Sequence, residues 1–138
     1  MLKKIDHIGI AVRHLADAAA VYGGAFGLEA GEIETIPGQK VRVQKFQIGG
    51  IRIEFLEPIS DDSPVSKFLA KRGEGVHHLC YAVSDLDQAV RELKSHEMAF
   101  TGEPVIGSDG KPIIFIHPGS ANGVLIELVE ERQAEQNS

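Results

Sequence analysis

The order of apolar and polar positions is the same in the two halves of the chain, and this repeat predicts the fold. The segments His7-Ile-Gly-Ile-Ala-Val12 and His78-Leu-Cys-Tyr-Ala-Val83 each begin with a histidine and continue as an apolar strand. Each strand is followed by apolar residues spaced three and four positions apart, which predicts a helix with one face packed on a sheet. In the first half these residues are Leu15, Ala18, Ala19, Tyr22 and Phe26, and in the second half they are Leu86, Ala89, Val90 and Leu93.

A second pair of segments recurs farther along each half. Ile53-Glu-Phe-Leu-Glu57 and Ile126-Glu-Leu-Val-Glu130 both read apolar, glutamate, two apolar residues, glutamate. The histidines at 7 and 78 are 71 residues apart, and the glutamates at 54 and 127 are 73 residues apart. Two motifs in the same order at nearly one offset indicate an internal duplication, because loop insertions absorb a difference of two residues.

Each half therefore predicts a strand, a helix and three further strands, and the fold class is α+β. We expect one domain, 1–138, of two tandem βαβββ modules (about 1–60 and 74–131) that form a half-open barrel around a metal site. A linker helix over about 63–72 is favoured by Ser63 as N-cap, Pro64 at the first helical position and Gly73 as the stop. The predicted strands are 4–12, 29–35, 41–46 and 51–56 in the first module, and 76–83, 100–105, 113–117 and 124–129 in the second.

Composition narrows the classes of function. The 138 residues carry a net charge of −6, which disfavours a general role on nucleic acid or an anionic membrane. Cys80 is the only cysteine, so an internal disulfide is excluded and a reducing, cytoplasmic location is expected. The sequence contains no apolar run typical of a signal peptide or a membrane span. The polar tail from Glu130 to Ser138 is expected to fray.

The repeated polar residues are candidate metal ligands. In a paired barrel, related residues of the two halves meet across a pseudo-twofold axis, which would bring together His7, Glu54, His78 and Glu127. Each glutamate interrupts an apolar strand, where an unpaired carboxylate is costly and a cation relieves that cost. A lone histidine at a strand start is usually a satisfied or exposed polar group, and a strand glutamate is usually exposed; the recurrence in pairs favours the metal site.

Two imidazoles and two carboxylates suit a borderline divalent ion such as Co²⁺, Ni²⁺, Mn²⁺, Zn²⁺ or Fe²⁺. His77 should point away from His78 and is interpreted as structural, whereas His14 and His96 are expected at the surface. Cys80 shares a strand face with His78 and is interpreted as a core thiol rather than a nucleophile. Arg52 is predicted to share its strand face with Glu54.

These motifs resemble the vicinal oxygen chelate superfamily and, within it, the methylmalonyl-CoA epimerases. The resemblance covers about residues 5 to 129. The epimerase assignment rests on the linker segment and on the stretch from His117-Pro118 to Gly123-Val-Leu-Ile-Glu-Leu128. The resemblance implies the four ligands named above, one divalent ion with Co²⁺ as the first choice and Ni²⁺, Mn²⁺ or Zn²⁺ as alternatives, and an acyl-CoA substrate. We also expect a homodimer, because half-open sheets of this kind often pair.

The implied reaction interconverts the C2 epimers of methylmalonyl-CoA by abstraction and return of the C2 proton through a metal-stabilised enolate. Glu127 is the first candidate for a proton carrier that is also a ligand, and Glu54 is its counterpart in the other half. Some epimerases use an additional acid on the strand matching 41–46. That strand carries no acid here, which leaves the second proton carrier open.

Two alternative functions remain open at this stage. The first is an isomerase of thiol hemithioacetals of the glyoxalase I (lactoylglutathione lyase) type, which shares the four ligands. The second is a non-catalytic small-molecule-binding protein of the same fold, which would not need four intact ligands. Basic residues available for the phosphates of CoA are Lys67, Lys71, Arg72 and Lys111.

Overall fold

A computed structural model describes residues 1–132, and the last six residues of the predicted tail lie outside the described range. The chain divides into two compact units. The N-terminal unit is His7–His77, and the C-terminal unit comprises Met1–Asp6 and the chain from His78 onward. Among residues 1–132, none of the helices combines the length and the apolar character that crossing a membrane requires.

The N-terminal unit contains the predicted βαβββ succession followed by the linker helix. Its sheet has the strand order β2-β3-β4-β1, in which β1 and β4 are parallel and the other neighbours are antiparallel. Strand β1 begins in the C-terminal unit and enters this one at His7. The elements are β1 (Leu2–Ala11), α1 (Leu15–Ala19), a π-helical segment (Ala20–Ala25), β2 (Glu34–Ile36), β3 (Val41–Ile48), β4 (Ile51–Pro58) and α2 (Pro64–Arg72).

The C-terminal unit repeats this arrangement. Its strand order is β5-β8-β7-β6, again with one parallel pair, β5 and β8, next to two antiparallel pairs. The equivalence of β1 to β4 with β5 to β8 in both order and direction confirms the repeat that the sequence predicts. The elements are β5 (Gly75–Val83, from His78 onward in this unit), α3 (Leu86–Ser95), β6 (Val105–Ile106), β7 (Pro112–Ile116) and β8 (Ile126–Glu130).

Local capping explains where two of the helices begin. The Ser63 hydroxyl accepts a hydrogen bond from the Val65 amide at 3.2 Å, and Pro64 occupies the first turn of α2 as predicted. Gly73 ends that helix with φ +75°, a conformation that favours glycine. The Asp85 carboxylate caps α3 by accepting from the Gln88 amide at 3.0 Å.

Side chains alternate between the two faces of each sheet, and one face packs against the helix of the same unit. In the N-terminal unit Phe46 and Phe55 pack with Leu15 and Tyr22 of the first helical segment. In the C-terminal unit the equivalent face packs on α3, with a core of Val83, Leu86, Ala89, Ile114, Ile116, Ile126 and Leu128. The opposite face of each sheet is the one that carries the histidines and the first glutamate of each motif.

Two strands are shorter than the sequence predicts. The strand expected over 29–35 is reduced to Glu34–Ile36, because the Gly31 carbonyl accepts a hydrogen bond from the Gln44 side chain instead of a strand amide. The strand expected over 100–105 is reduced to Val105–Ile106, with an isolated bridge at Phe100. Pro104 between them has no amide hydrogen to donate to a sheet.

Two other expectations are corrected. The first helix is α-helical for only five residues and continues as a π-helical segment, in which Phe26 N donates to Val21 O at 2.8 Å. The expected fraying at Glu130 is wrong, because Glu130 is the last residue of β8 and its carboxylate is engaged.

Candidate functional site

In the N-terminal unit, His7 and Glu54 face each other from two adjacent parallel strands. The register pairs Gly9 of β1 with Glu54 of β4, and His7 lies two residues before Gly9 on the same face. His7 Nδ1 and Glu54 Oε2 are 3.2 Å apart, and both side chains are buried. The first of the two predicted histidine–glutamate pairs is therefore in contact.

The C-terminal unit contains the second pair in the same register. Cys80 of β5 is paired with Glu127 of β8, and His78 lies two residues before Cys80. His78 Nε2 and Glu127 Oε1 are 3.0 Å apart, and both side chains are again buried. The duplication therefore preserves the position of each side chain relative to its partner strand, in addition to the motif.

The donor atoms of each pair fit a divalent ion. Two ligands that lie about 2.1 Å from one ion and at right angles to each other are about 3.0 Å apart, close to both observed separations. Neutral imidazole and carboxylate are suitable donors for a borderline metal, and a bound cation also offsets the cost of burying two carboxylates. Each unit thus presents half of the predicted ligand set.

Two basic residues are neighbours of Glu54 in the sheet. Arg52 donates to Glu54 Oε2 from NH2 at 3.3 Å and from Nε at 3.4 Å, which confirms that the two residues share a face. Lys45 of β3 lies directly opposite Glu54 in the antiparallel register. The sequence analysis did not identify Lys45, and only the pairing of β3 with β4 reveals its position.

The second glutamate of each motif has a structural role that the sequence analysis missed. Glu57 Oε2 accepts a hydrogen bond from the Leu15 amide at 2.9 Å, at the start of α1. Glu130 Oε1 accepts from the Leu86 amide at 3.1 Å, at the start of α3. Each carboxylate therefore caps the helix of its own unit, and the recurrence of a glutamate three residues after Glu54 and Glu127 was the available signal.

The remaining candidate residues have other roles. His77 packs against the Phe68 ring of α2, with ring centroids 5.0 Å apart, which agrees with a structural role. His14 and His96 are exposed, as expected. His117 is exposed, and its Nδ1 accepts from the Gly119 amide at 2.9 Å.

Cys80 is fully buried, as predicted for a core thiol. Asp6, which the sequence analysis missed, is also buried in the C-terminal unit, and one of its carboxylate oxygens lies within 4.8 Å of Cys80 Sγ. Its position directly before His7 was the only sequence signal. The lysines and the arginine of α2 proposed for CoA, Lys67, Lys71 and Arg72, are exposed.

Comparison with known proteins supports the resemblance. The profile of the Glyoxalase/Bleomycin resistance protein/Dioxygenase superfamily matches residues 6–115. The ethylmalonyl-CoA/methylmalonyl-CoA epimerase of Cereibacter sphaeroides is 39% identical over 131 residues, which cover 93% of this chain and 98% of that protein. An uncharacterised protein of Bacillus subtilis, YqjC, is also 39% identical, over 99% of this chain and 98% of its own length.

Solved structures of methylmalonyl-CoA epimerases are also similar to this chain. A variant of Streptomyces coelicolor methylmalonyl-CoA epimerase in complex with 2-nitronate-propionyl-CoA superposes with a TM-score of 0.90 at 37% identity, covering 96% of this chain and 100% of that one. These matches confirm the predicted superfamily and the α+β fold class. They also confirm the prediction of an enzyme homologous to isomerases.

Proposed function

This chain belongs to the Glyoxalase/Bleomycin resistance protein/Dioxygenase superfamily, and from that membership we propose that it interconverts the C2 epimers of methylmalonyl-CoA. The observation that carries the proposal is the buried histidine–glutamate pair, present once in each unit at the same strand register. A catalytic role accounts for four buried polar side chains in otherwise apolar strands, where burial without a partner is costly.

The two units are proposed to be the modules of a single domain that together supply His7, Glu54, His78 and Glu127 to one divalent ion. Co²⁺ is the proposed ion, with Ni²⁺, Mn²⁺ and Zn²⁺ as alternatives that the same donors accept. When bound, such an ion supplies Lewis-acid stabilisation, worth several kcal/mol, of the negative charge that develops on the thioester oxygen during proton removal. The homodimer and the cytoplasmic location stay predictions.

The chain's own residues would move the proton. Glu127 is the proposed carrier on one side of C2, where one of its carboxylate oxygens accepts the proton that leaves that face. Phe115 lies directly opposite Glu127 across β7 and β8, and its ring meets the His78 ring edge-on at 5.9 Å. Apolar carbon therefore borders this pair, which limits the access of water to the transferred proton.

Glu54 is the proposed carrier on the other side, since it occupies the equivalent position in the N-terminal unit. Inversion at C2 requires one carboxylate to accept a proton from one face while the other, protonated beforehand, donates its own proton to the opposite face; the two carboxylates exchange these roles in the reverse reaction. A pair of equivalent carboxylates meets that requirement without an acid on β3, where the sequence contains none between Val41 and Ile48.

Deuterium incorporation at C2 of methylmalonyl-CoA in D₂O, followed by NMR with Co²⁺-loaded protein, tests the proposal. The Glu127→Gln variant should lose about 10²–10⁴-fold in exchange rate, the usual contribution of a general acid–base group. Glu130→Gln, on the same strand but the opposite face, is the matched control and should retain most of the activity. Metal content is measured for each variant.

Three results would contradict the proposal. The first is an absence of exchange with wild-type protein at full metal occupancy. The second is an undiminished rate in Glu127→Gln that still holds its metal. The third is turnover of methylglyoxal hemithioacetal but not of methylmalonyl-CoA, which would transfer the assignment to the glyoxalase I type of isomerase.

A further inference from the structure

A pocket of about 320 Å³ lies in the C-terminal unit, on the face of the sheet that packs against α3. Its apolar lining includes Leu93 of α3, Ile116 of β7 and Leu128 of β8. Because neighbouring residues of a strand project from opposite faces, Leu128 points away from the face that carries Glu127. The pocket and the histidine–glutamate pair of this unit therefore lie on opposite faces of the same sheet.

The duplication identifies the residue of the N-terminal unit that is equivalent to each of these three. Leu93 and Tyr22 both lie seven residues after the leucine whose amide donates to a helix-capping glutamate. Ile116 and Phe46 each lie opposite the isoleucine that begins the repeated glutamate motif. Leu128 and Phe55 each follow the first glutamate of that motif directly. Three aliphatic residues of the C-terminal unit thus replace three aromatic ones.

In the N-terminal unit the three aromatic rings pack on one another. The Tyr22 ring centroid lies 4.7 Å from that of Phe55 and 5.7 Å from that of Phe46, and the two phenylalanine rings are 5.8 Å apart. Both phenylalanines are almost fully buried, so the rings fill the space between the first helix and its sheet. Smaller aliphatic side chains at the equivalent positions leave part of that space unfilled in the C-terminal unit, where the pocket lies.

Other lining residues add one ring and two polar side chains. Tyr81 stands where the N-terminal unit has Ile10, and it also lines the pocket. Ser120 and Asn122 contribute hydrogen-bonding groups. The Ser120 hydroxyl accepts from the Ala99 amide at 2.9 Å, and its own O–H is a donor that a ligand can use. The side chains that line the pocket within residues 1–132 are all uncharged, which favours a neutral ligand.

The volume of the pocket matches a small ring system. An apolar cavity of about 150 Å³ is enough to hold benzene, and pockets for small molecules begin at about 300 Å³. The volume of about 320 Å³ therefore accommodates one ring or two fused rings. An edge-to-face contact with Tyr81 and dispersion against the aliphatic lining would stabilise a flat ring there.

We propose that this pocket binds a small neutral aromatic molecule, whose ring occupies the space that Tyr22, Phe46 and Phe55 fill in the other unit. The ligand class follows from the rings that the duplication replaced and from the uncharged lining. The inference goes beyond the proposed function and is independent of it, since it uses none of the residues assigned to the reaction or to the ion.

Indole is the probe for the test, because the chain contains no tryptophan and the fluorescence of added indole can be followed selectively. Its emission should shift to shorter wavelengths on binding, and calorimetry should give a Kd of about 0.1–1 mM for wild-type protein. Leu128→Phe and Leu93→Tyr each introduce the ring found at the equivalent position of the other unit, and each should weaken binding about tenfold or more. Val76→Phe adds a ring at an exposed position of the N-terminal unit and should retain the wild-type affinity.

Four results would overturn the proposal. Wild-type protein could show no saturable binding of indole, or the ring-bearing variants could bind it as tightly as wild-type protein does. Displacement of indole by methylmalonyl-CoA would place it at the proposed reaction site, on the other face of the sheet. An indole affinity that falls as sedimentation shows the protein to dimerise would mean that a second copy covers the pocket. Thermal midpoints identify a misfolded variant, and if Leu128→Phe does not fold, Leu93→Tyr at its half-buried helix position decides the test.

Discussion

The two helix-capping glutamates should differ in their contribution to stability, although they occupy equivalent positions in the duplicated motif. We consider Glu57→Ala and Glu130→Ala, each of which removes the carboxylate that accepts from the first amide of a helix. The two helices differ in the side-chain cap that remains at the helix start after the substitution. The residue before α1, His14, makes no side-chain cap hydrogen bond, whereas Asp85 continues to cap α3.

The magnitude follows from the contacts of each carboxylate. Glu57 accepts from Leu15 N at 2.9 Å and also pairs tightly with Arg42, and its side chain is only 15% exposed. A hydrogen bond to such a charged group contributes about 1.5–3 kcal/mol, and the half-exposed Arg42 adds less than about 1 kcal/mol. Glu57→Ala should therefore lower the free energy of unfolding by about 2–3 kcal/mol.

Glu130→Ala should cost less, about 1–1.5 kcal/mol. Its bond to Leu86 N is 3.1 Å long, and its second partner, Arg132, is 77% exposed, which makes that ion pair weak. For a chain of this length, 1 kcal/mol corresponds to about 3–4 °C in the thermal midpoint. The expected losses are about 6–12 °C for Glu57→Ala and about 3–6 °C for Glu130→Ala.

Thermal unfolding followed by circular dichroism, together with urea titration, measures both variants under one set of conditions. Glu57→Gln serves as the control, because its amide oxygen can still accept from Leu15 N and should restore part of the loss. The reasoning is refuted if Glu130→Ala destabilises the protein as much as Glu57→Ala does, since the residual cap on α3 would then contribute nothing.

Three further predictions concern other parts of the chain. Gly31→Ala should lower the free energy of unfolding in urea by about 1–3 kcal/mol, because its methyl group would lie 2.9 Å from a strand carbonyl oxygen, whereas Gly24→Ala meets no atom within 4 Å and should be neutral by comparison. The Lys40 ammonium and, to a smaller extent, the Ser60 hydroxyl that donates to Asp62 lower the pKa of Asp62 from 3.8 to about 2, so the stability from these contacts is present above about pH 4 and is lost as the pH falls toward 2; in an NMR titration Lys40→Met should raise this pKa part of the way toward 3.8, and an unchanged value would be contrary to the assignment. The Cys80 thiol, fully buried, should react with a maleimide only after urea unfolds the chain, and rapid labelling of native protein would contradict its placement in the core.

Repetition in the sequence was sufficient to predict the two βαβββ modules and the histidine–glutamate pairs. Alternation along a strand and spacing along a helix are local properties, so they can be read without knowing which strands are neighbours. The N-cap at Ser63 was predicted for the same reason. Strand ends were predicted less well, because they depended on Gln44 bonding to the Gly31 carbonyl and on Pro104, which interrupts pairing.

The local residue pattern is enough to predict the fold class, the repeat and the polar residues that recur in equivalent places. The surroundings of those residues depend on how distant strands pair. Lys45 lies opposite Glu54 because β3 and β4 pair in one particular register, and Glu57 reaches Leu15 because β4 passes the start of α1. Both contacts join segments distant along the chain, and pairing between distant segments is set by the packing of the whole unit rather than by any local pattern.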